Sequence, residues 1–336
     1  MSAYKTVGIK SVLTAVLGKF SVAVLKLIGF LASGSAVMLS ECIHSVADTA
    51  NQSLMLIGIK RSERPADERF NYGYKQERFF WALVSACGIF FLGAGITLYH
   101  GVNSLLHPHP AHFNEWLLVI LFFSFLFEGY ALFTALKEVR HHARGKGKLY
   151  KYIKQSADPT ILAVIYEDSA ALIGILFASI SIILTKITGF YFWDGVGSIL
   201  VGLLLGVVAI ILIKTNRDFL MSKAIPPHIQ NEISAIIKKH KIVESVHDFK
   251  TAVLSTDGYR IKAEIEIEGS VLAQKIFETR DFRREYGNLR TYQDFVKFCA
   301  DYTDEVTRTL GKEIDKLEKE IAEKIPTAKY IDLEAN

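Results

Sequence analysis

The chain has 336 residues, half of them hydrophobic, with a mean hydropathy of +0.25. Lys and Arg together number 39 against 35 for Asp and Glu, and the resulting net charge of +4 is too small to argue for a nucleic-acid partner. Three cysteines, Cys42, Cys87 and Cys299, lie far apart without a Cys-x-x-Cys spacing, so neither a disulfide framework nor a thiolate zinc cluster is indicated.

The first ten residues lack a cleavable signal pattern, and the first apolar run reads as a retained span. Apolar runs follow at about Ser11 to Leu31, Ala36 to Ile59, Phe79 to Leu106, Trp116 to Leu136, Thr160 to Ile187 and Phe192 to Ile213. A bilayer crossing takes roughly 20 helical residues, and open strands cannot satisfy their backbone in lipid, so the pattern predicts six transmembrane helices. Lys60, Arg61, Arg64, Arg69, Lys75 and Arg78 fill the second loop, and Lys137, Arg140, Arg144, Lys146, Lys148, Lys151 and Lys154 the fourth. The first and third loops carry neither Lys nor Arg. By the positive-inside rule both termini are expected in the cytoplasm.

After Lys214 the chain turns charged and mixed. A helix is predicted over 225–240. Strands follow over 242–255 and 259–267 around the turn signal Thr256-Asp257-Gly258, then a long helix from about Tyr292 to Lys324 and a last strand from Ala328. Helix, strand, strand, helix, strand is the order of a small ferredoxin-like α+β domain. The predicted organisation is a six-helix transmembrane domain over 1–215 and a cytoplasmic ferredoxin-like domain over 216–336.

The second span carries a polar stripe. Glu41, His44, Asp48 and Asn51 are three and four residues apart and share one helix face. An ionisable group at membrane depth costs about 2.5–3.5 kcal/mol unless it is paired, hydrated or metal-bound, so such a stripe asks for a function. His-x-x-x-Asp sets an imidazole and a carboxylate one turn apart, where both can reach one divalent cation. The plain alternative is a His–Asp hydrogen bond joining two helices. The fifth span adds Glu167 and Asp168, which point about 100° apart on a helix. Opposite His44 and Asp48, Asp168 completes a mixed nitrogen and oxygen shell.

The motifs Ala36-Val37-Met38-Leu39-Ser40-Glu41, His44-Ser45-Val46-Ala47-Asp48-Thr49, Gly88-Ile89-Phe90-Phe91-Leu92-Gly93-Ala94-Gly95 and Asp194-Gly195-Val196-Gly197-Ser198 make the chain resemble the cation diffusion facilitators. It is most similar to the branch that contains the ninth vertebrate zinc transporter. The resemblance implies a homodimer that exports a divalent metal in exchange for protons, with His44, Asp48 and Asp168 as metal ligands. The family's fourth ligand falls on Val164, which cannot bind metal. The fourth contact is then water, Glu167, Glu41 or Asn51. A lost nitrogen ligand loosens the preference for zinc, so manganese, iron and cobalt stay open. In the second loop Asp67 matches the family's metal site, but its histidine positions fall on Phe70 and Tyr74, and no metal is expected there. In the C-terminal domain the family's metal positions fall on His247, Glu264, Asp332 and Glu334, an altered set whose acids are ordinarily just solvated.

Glu128, in mid-span, is read as a proton carrier or as an ion-pair partner of Lys26. His107, His109 and His112 read as a hydrated outer loop. Phe79-Phe80-Trp81 and Phe190-Tyr191-Phe192-Trp193 read as interfacial anchors. The charges from Arg280 to Arg290 read as a solvated helix face.

The function expected is metal efflux by alternating access around a midplane site, with binding of metal displacing protons from histidine and carboxylates. Histidine changes charge in the physiological range. No enzyme activity and no resident cofactor are expected, since the metal is cargo. A membrane-anchored metal sensor or scaffold without flux is the alternative of another class. An intramembrane hydrolase is weakened by the lack of a His-Glu-x-x-His pattern or nucleophile motif. The membrane expected is a bacterial inner (plasma) membrane.

Overall fold

The computed structural model describes residues 9–108, 115–142 and 159–336. His109 and His112 of the third loop, and Arg144, Lys146, Lys148, Lys151 and Lys154 of the fourth, lie outside the described residues. The chain divides into two compact units, Met1–Met221 and Ser222–Asn336.

The first unit is helical. Helix α1 (Ile9–Ser33) stops at Gly34, whose φ of 69° is a left-handed conformation that glycine adopts without a Cβ clash. The Gly34 N–H closes the turn on the Phe30 carbonyl at 2.7 Å. Helix α2 (Ala36–Ser62) begins at once, with Ser35 as N-cap and its Oγ accepting from the Met38 N–H. The next spans are α3 (Glu77–Leu106), α4 (Glu115–His142), α5 (Pro159–Thr188) and α6 (Phe192–Leu220). Within α3 the residues Ile89–Ala94 wind as a π-helix, a local widening that tends to mark functional segments, and this turn packs on α6.

Asp194 reaches across from the first turn of α6 to the start of α2. Its Oδ1 accepts from Ser35 Oγ at 2.5 Å and from the Val37 N–H at 3.4 Å, and its Oδ2 accepts from the Ala36 N–H at 2.5 Å. A carboxylate here satisfies amides that have no intrahelical partner and complements the positive end of the helix dipole. This contact gives the Asp194-Gly195-Val196-Gly197-Ser198 motif a structural reason.

Among the described residues five helices, α1, α3, α4, α5 and α6, are long and apolar enough to cross a membrane. Helix α2 is long enough but too polar, because the stripe dilutes its apolar content. It packs against α1, α3, α5 and α6, and Glu41, His44, Asp48 and Asn51 are all buried. Large apolar side chains such as Leu17, Phe20, Leu31, Phe91, Phe122 and Phe123 instead face outward. Polar groups enclosed by helices and apolar groups outside are what a lipid solvent demands, and the chain is a multi-pass α-helical membrane protein.

The second unit is α+β. After Pro226 at the N-cap, α7 (Pro227–Lys239) leads to β1 (Val243–Ser255) and β2 (Gly258–Ile267), and β3 (Ala328–Ala335) ends the chain. The sheet order is β1-β2-β3, antiparallel then parallel. Helix α7 packs on β1, and α10 (Tyr292–Lys324) packs on β3. Ile233, Ile237, Ile261, Ile265, Leu317 and Ile321 form the buried apolar faces. This is the ferredoxin-like type of fold expected from the element order.

Two more helices lie between β2 and α10. Helix α8 (Gly269–Thr279), which the sequence reading omits, buries Leu272 and Ile276 one turn apart and packs on α10. Helix α9 (Phe282–Asn288) buries nothing, as a solvated face should.

Candidate metal centre

His44 and Asp48 sit one turn apart on α2, and Asp168 comes from α5. All three side chains are buried. His44 Nε2 lies 3.6 Å from Asp48 Oδ2, outside hydrogen-bond range, and neither nitrogen of the buried ring has a partner among the described residues. A buried imidazole left wholly unpaired is costly, so the simple interhelical His–Asp hydrogen bond does not account for it.

A lysine stands among the acids. Lys19 of α1 places its Nζ 2.8 Å from Asp168 Oδ1, 3.5 Å from Asp48 Oδ2 and 3.7 Å from Glu128 Oε2 on α4. Four helices thus bring an ammonium, three carboxyls and an imidazole together in a buried cluster. Sequence reasoning missed Lys19. The signal was available, because Lys19 interrupts the first apolar run as plainly as Asp48 interrupts the second.

The other candidate contacts have partners of their own. Glu41 Oε2 accepts from Lys26 Nζ at 2.7 Å with both side chains fully buried. This corrects the expected Lys26–Glu128 pair: Glu128 faces Lys19 instead. The Asn51 amide donates to both oxygens of Glu167 at 2.6 Å, so these two buried groups satisfy one another across α2 and α5. Glu41, Glu167 and Asn51 are therefore held by Lys26 or by each other. Val164 lies half-buried one turn before Asp168.

In the second loop both oxygens of Asp67 serve the loop itself. Oδ1 accepts from the Arg69 and Phe70 amides at 3.0 and 2.8 Å, and Oδ2 accepts from the Tyr74 hydroxyl at 2.7 Å. That hydroxyl, with the amides behind it, holds the Asp67 carboxyl below its usual range.

In the second unit, His247 pairs in register with Glu264, and Glu264 with Glu334. Their side chains do not form a ligand set. His247 Nε2 lies 2.6 Å from Ser245 Oγ and 3.4 Å from Glu266 Oε2, while Lys262 donates to Glu334 Oε1 at 2.6 Å. Asp332 is opposite Lys262 on the neighbouring strand. Among the described residues no three His, Cys, Asp or Glu side chains are placed closely enough to hold a metal ion as they stand. In the membrane unit the Lys19 ammonium lies against both Asp48 and Asp168.

A family model described as the cation efflux transmembrane domain matches residues 12–221, a stretch that contains every member of the buried cluster. The chain belongs to the cation efflux family, the cation diffusion facilitators. It is 37% identical over 313 residues to the human protein named "Proton-coupled zinc antiporter SLC30A9, mitochondrial", an alignment covering 92% of this chain and 55% of that one. The same identity over 335 residues relates it to "Metal tolerance protein C4" of Arabidopsis thaliana, covering 97% of this chain and 73% of the relative. "Cation-efflux pump FieF" of Shewanella oneidensis is 25% identical over 251 residues, 74% of this chain and 78% of the relative. The chain spans little more than half the length of the SLC30A9 proteins it matches, and it is related to their branch of the family.

Proposed function

We propose that this protein carries a divalent metal cation, zinc first, across a membrane in exchange for protons, and that His44, Asp48 and Asp168 seat the ion. The observation that carries the reading is the buried His44 ring, without a partner at either nitrogen among the described residues and one turn from Asp48. Imidazole nitrogen with carboxylate oxygen is a donor set suited to zinc and open to manganese, iron and cobalt. Water supplies the fourth contact opposite Val164.

A divalent cation needs the imidazole neutral and the carboxylates ionised, so loading the site releases protons and protonating it releases the ion. Site residues on α2 and α5, near the middle of the bundle, suit alternate exposure to either side. The relatives' names support this reading: one is a proton-coupled zinc antiporter and another a cation-efflux pump. No observation favours a sensor or scaffold without flux. We further propose that the chain works as a homodimer with both termini on the cytoplasmic side. The names give no support to a bacterial inner membrane, since the two relatives at 37% identity are a protein named as mitochondrial and a plant protein.

The test is zinc uptake into proteoliposomes under an imposed pH gradient, with Asp48→Ala as the blank. Gradient-driven uptake lost in the variant supports the antiporter. Binding without flux for zinc, manganese, iron(II) or cobalt contradicts it.

A further inference from the structure

The acids round Lys19 do more than hide a charge from lipid. Its ammonium touches the two carboxylates proposed as metal ligands, and it also lies 3.7 Å from Glu128 Oε2, a buried oxygen with no hydrogen-bond partner among the described residues. A buried carboxylate oxygen at ion-pair distance from a lysine, with no hydrogen bond of its own among the described residues, is a second seat for that lysine. The lysine stem is flexible and its ammonium is a compact point charge, so Nζ can trade one carboxylate for another by stem rotation alone. Formal charge points the same way: the three carboxylates within 3.7 Å of the ammonium carry two negative charges more than it neutralises, and Glu167 beside them, held by the neutral Asn51 amide, adds to the demand for a cation.

We propose that Lys19 is a tethered cation that stands in the metal's place between Asp48 and Asp168 when the site is empty, and that Glu128 receives its ammonium when a divalent ion enters. Lys19 is then a positioning residue for exchange. It neutralises the empty carrier, and the incoming metal must displace it. This rests on His44, Asp48 and Asp168 being the metal site, and it adds Lys19 and Glu128 as the pair that sets how tightly the site holds its ion.

A double-variant cycle on the full chain, purified in detergent and titrated with Zn²⁺ by calorimetry at neutral pH, separates this from a structural ion pair. Lys19→Met removes the competitor and leaves more negative charge, so zinc binds about tenfold tighter or more. Glu128→Gln removes the alternative seat, so zinc binds about tenfold more weakly or worse. The double variant restores the charge balance and returns to near the wild-type affinity. Thermal unfolding with and without zinc, run on the same samples, confirms that each variant is folded, and the stabilisation by zinc follows the same order.

A merely structural pair gives another pattern: both single variants lose stability and zinc affinity, and the double variant does not recover. That pattern, or unchanged affinity in Lys19→Met, overturns the proposal. The outcome is independent of flux. Zinc bound at Asp48 but never transported defeats the antiporter reading and leaves this cycle valid. Flux with the wrong order of affinities defeats only the role of Lys19.

Discussion

The Lys26 ammonium lies 2.7 Å from Glu41 Oε2, and neither side chain has any exposed surface. The pair joins α1 to α2 two turns along α1 from Lys19. Breaking such a pair on one side leaves an uncompensated buried charge, which costs about 3–5 kcal/mol. Lys26→Met alone is therefore expected to lower thermal stability sharply, while Lys26→Met with Glu41→Met regains most of it. Unfolding scans of both variants in detergent check this, and equal losses would mean that the pair is not what holds the two helices together.

Gly174 of α5 is the neighbour that the pair demands. A Cβ at this position would meet Glu41 Oε1 at 2.7 Å, closer than real contacts allow. The carboxylate cannot swing aside cheaply because Lys26 holds its other oxygen. Gly174→Ala is expected to cost about 1–3 kcal/mol, as overpacking of a buried site does, despite alanine's better helix propensity. The same change at Gly311 in α10, where a Cβ meets nothing within 4 Å, should instead add about 0.4–1 kcal/mol. Opposite signs at the two glycines in one unfolding assay are the expected result.

The Asp67 loop has a pH signature of its own. The Tyr74 hydroxyl, then the Phe70 and Arg69 amides, hold the Asp67 carboxyl below its usual value, so ionised Asp67 is favoured by the folded loop. The loop's ordering is complete at neutral pH and is lost only as the pH falls through that depressed value, below the ordinary carboxylate range. Tyr74→Phe removes the largest cause and should move the loss to higher pH. Hydrogen exchange at the Arg69 and Phe70 amides, followed against pH in both proteins, reads this directly.

How much of this was legible in the sequence depended on whether a contact is local. That His44 and Asp48 share one helix face follows from helical period alone, and the five apolar spans α1, α3, α4, α5 and α6 follow from hydropathy, whereas α2 has the length of a span without the apolar content. Asp194 capping α2 joins residues 158 positions apart, and no local pattern announces it. Lys26 was recognisable as a buried charge in want of a partner, yet the choice between Glu41 and Glu128 depends on how α1 is rotated against its neighbours. Lys19 escaped notice for a related reason. A lysine in an apolar run can snorkel to the interface when it stands near a helix end, and only the packing of α1, α2, α4 and α5 shows that this one turns inward. Helix α8 was readable from Leu272 and Ile276 four apart, but its Gly269-Ser270 start resembles a turn. The C-terminal set His247, Glu264, Asp332 and Glu334 shows the opposite limit: strand register aligns these residues, while Ser245 takes up the His247 ring and Lys262 the Glu334 carboxylate, contacts that register alone does not announce.

The proposed seat of the divalent ion is His44 with Asp48 and Asp168. X-ray absorption at the zinc edge of the zinc-loaded, full-length protein tests it most directly. The account predicts a shell of nitrogen and oxygen at about 2.0–2.2 Å with no sulfur, and an imidazole scattering signature that disappears in His44→Ala. A sulfur shell at about 2.3 Å, or an imidazole signature that survives in His44→Ala, would contradict it.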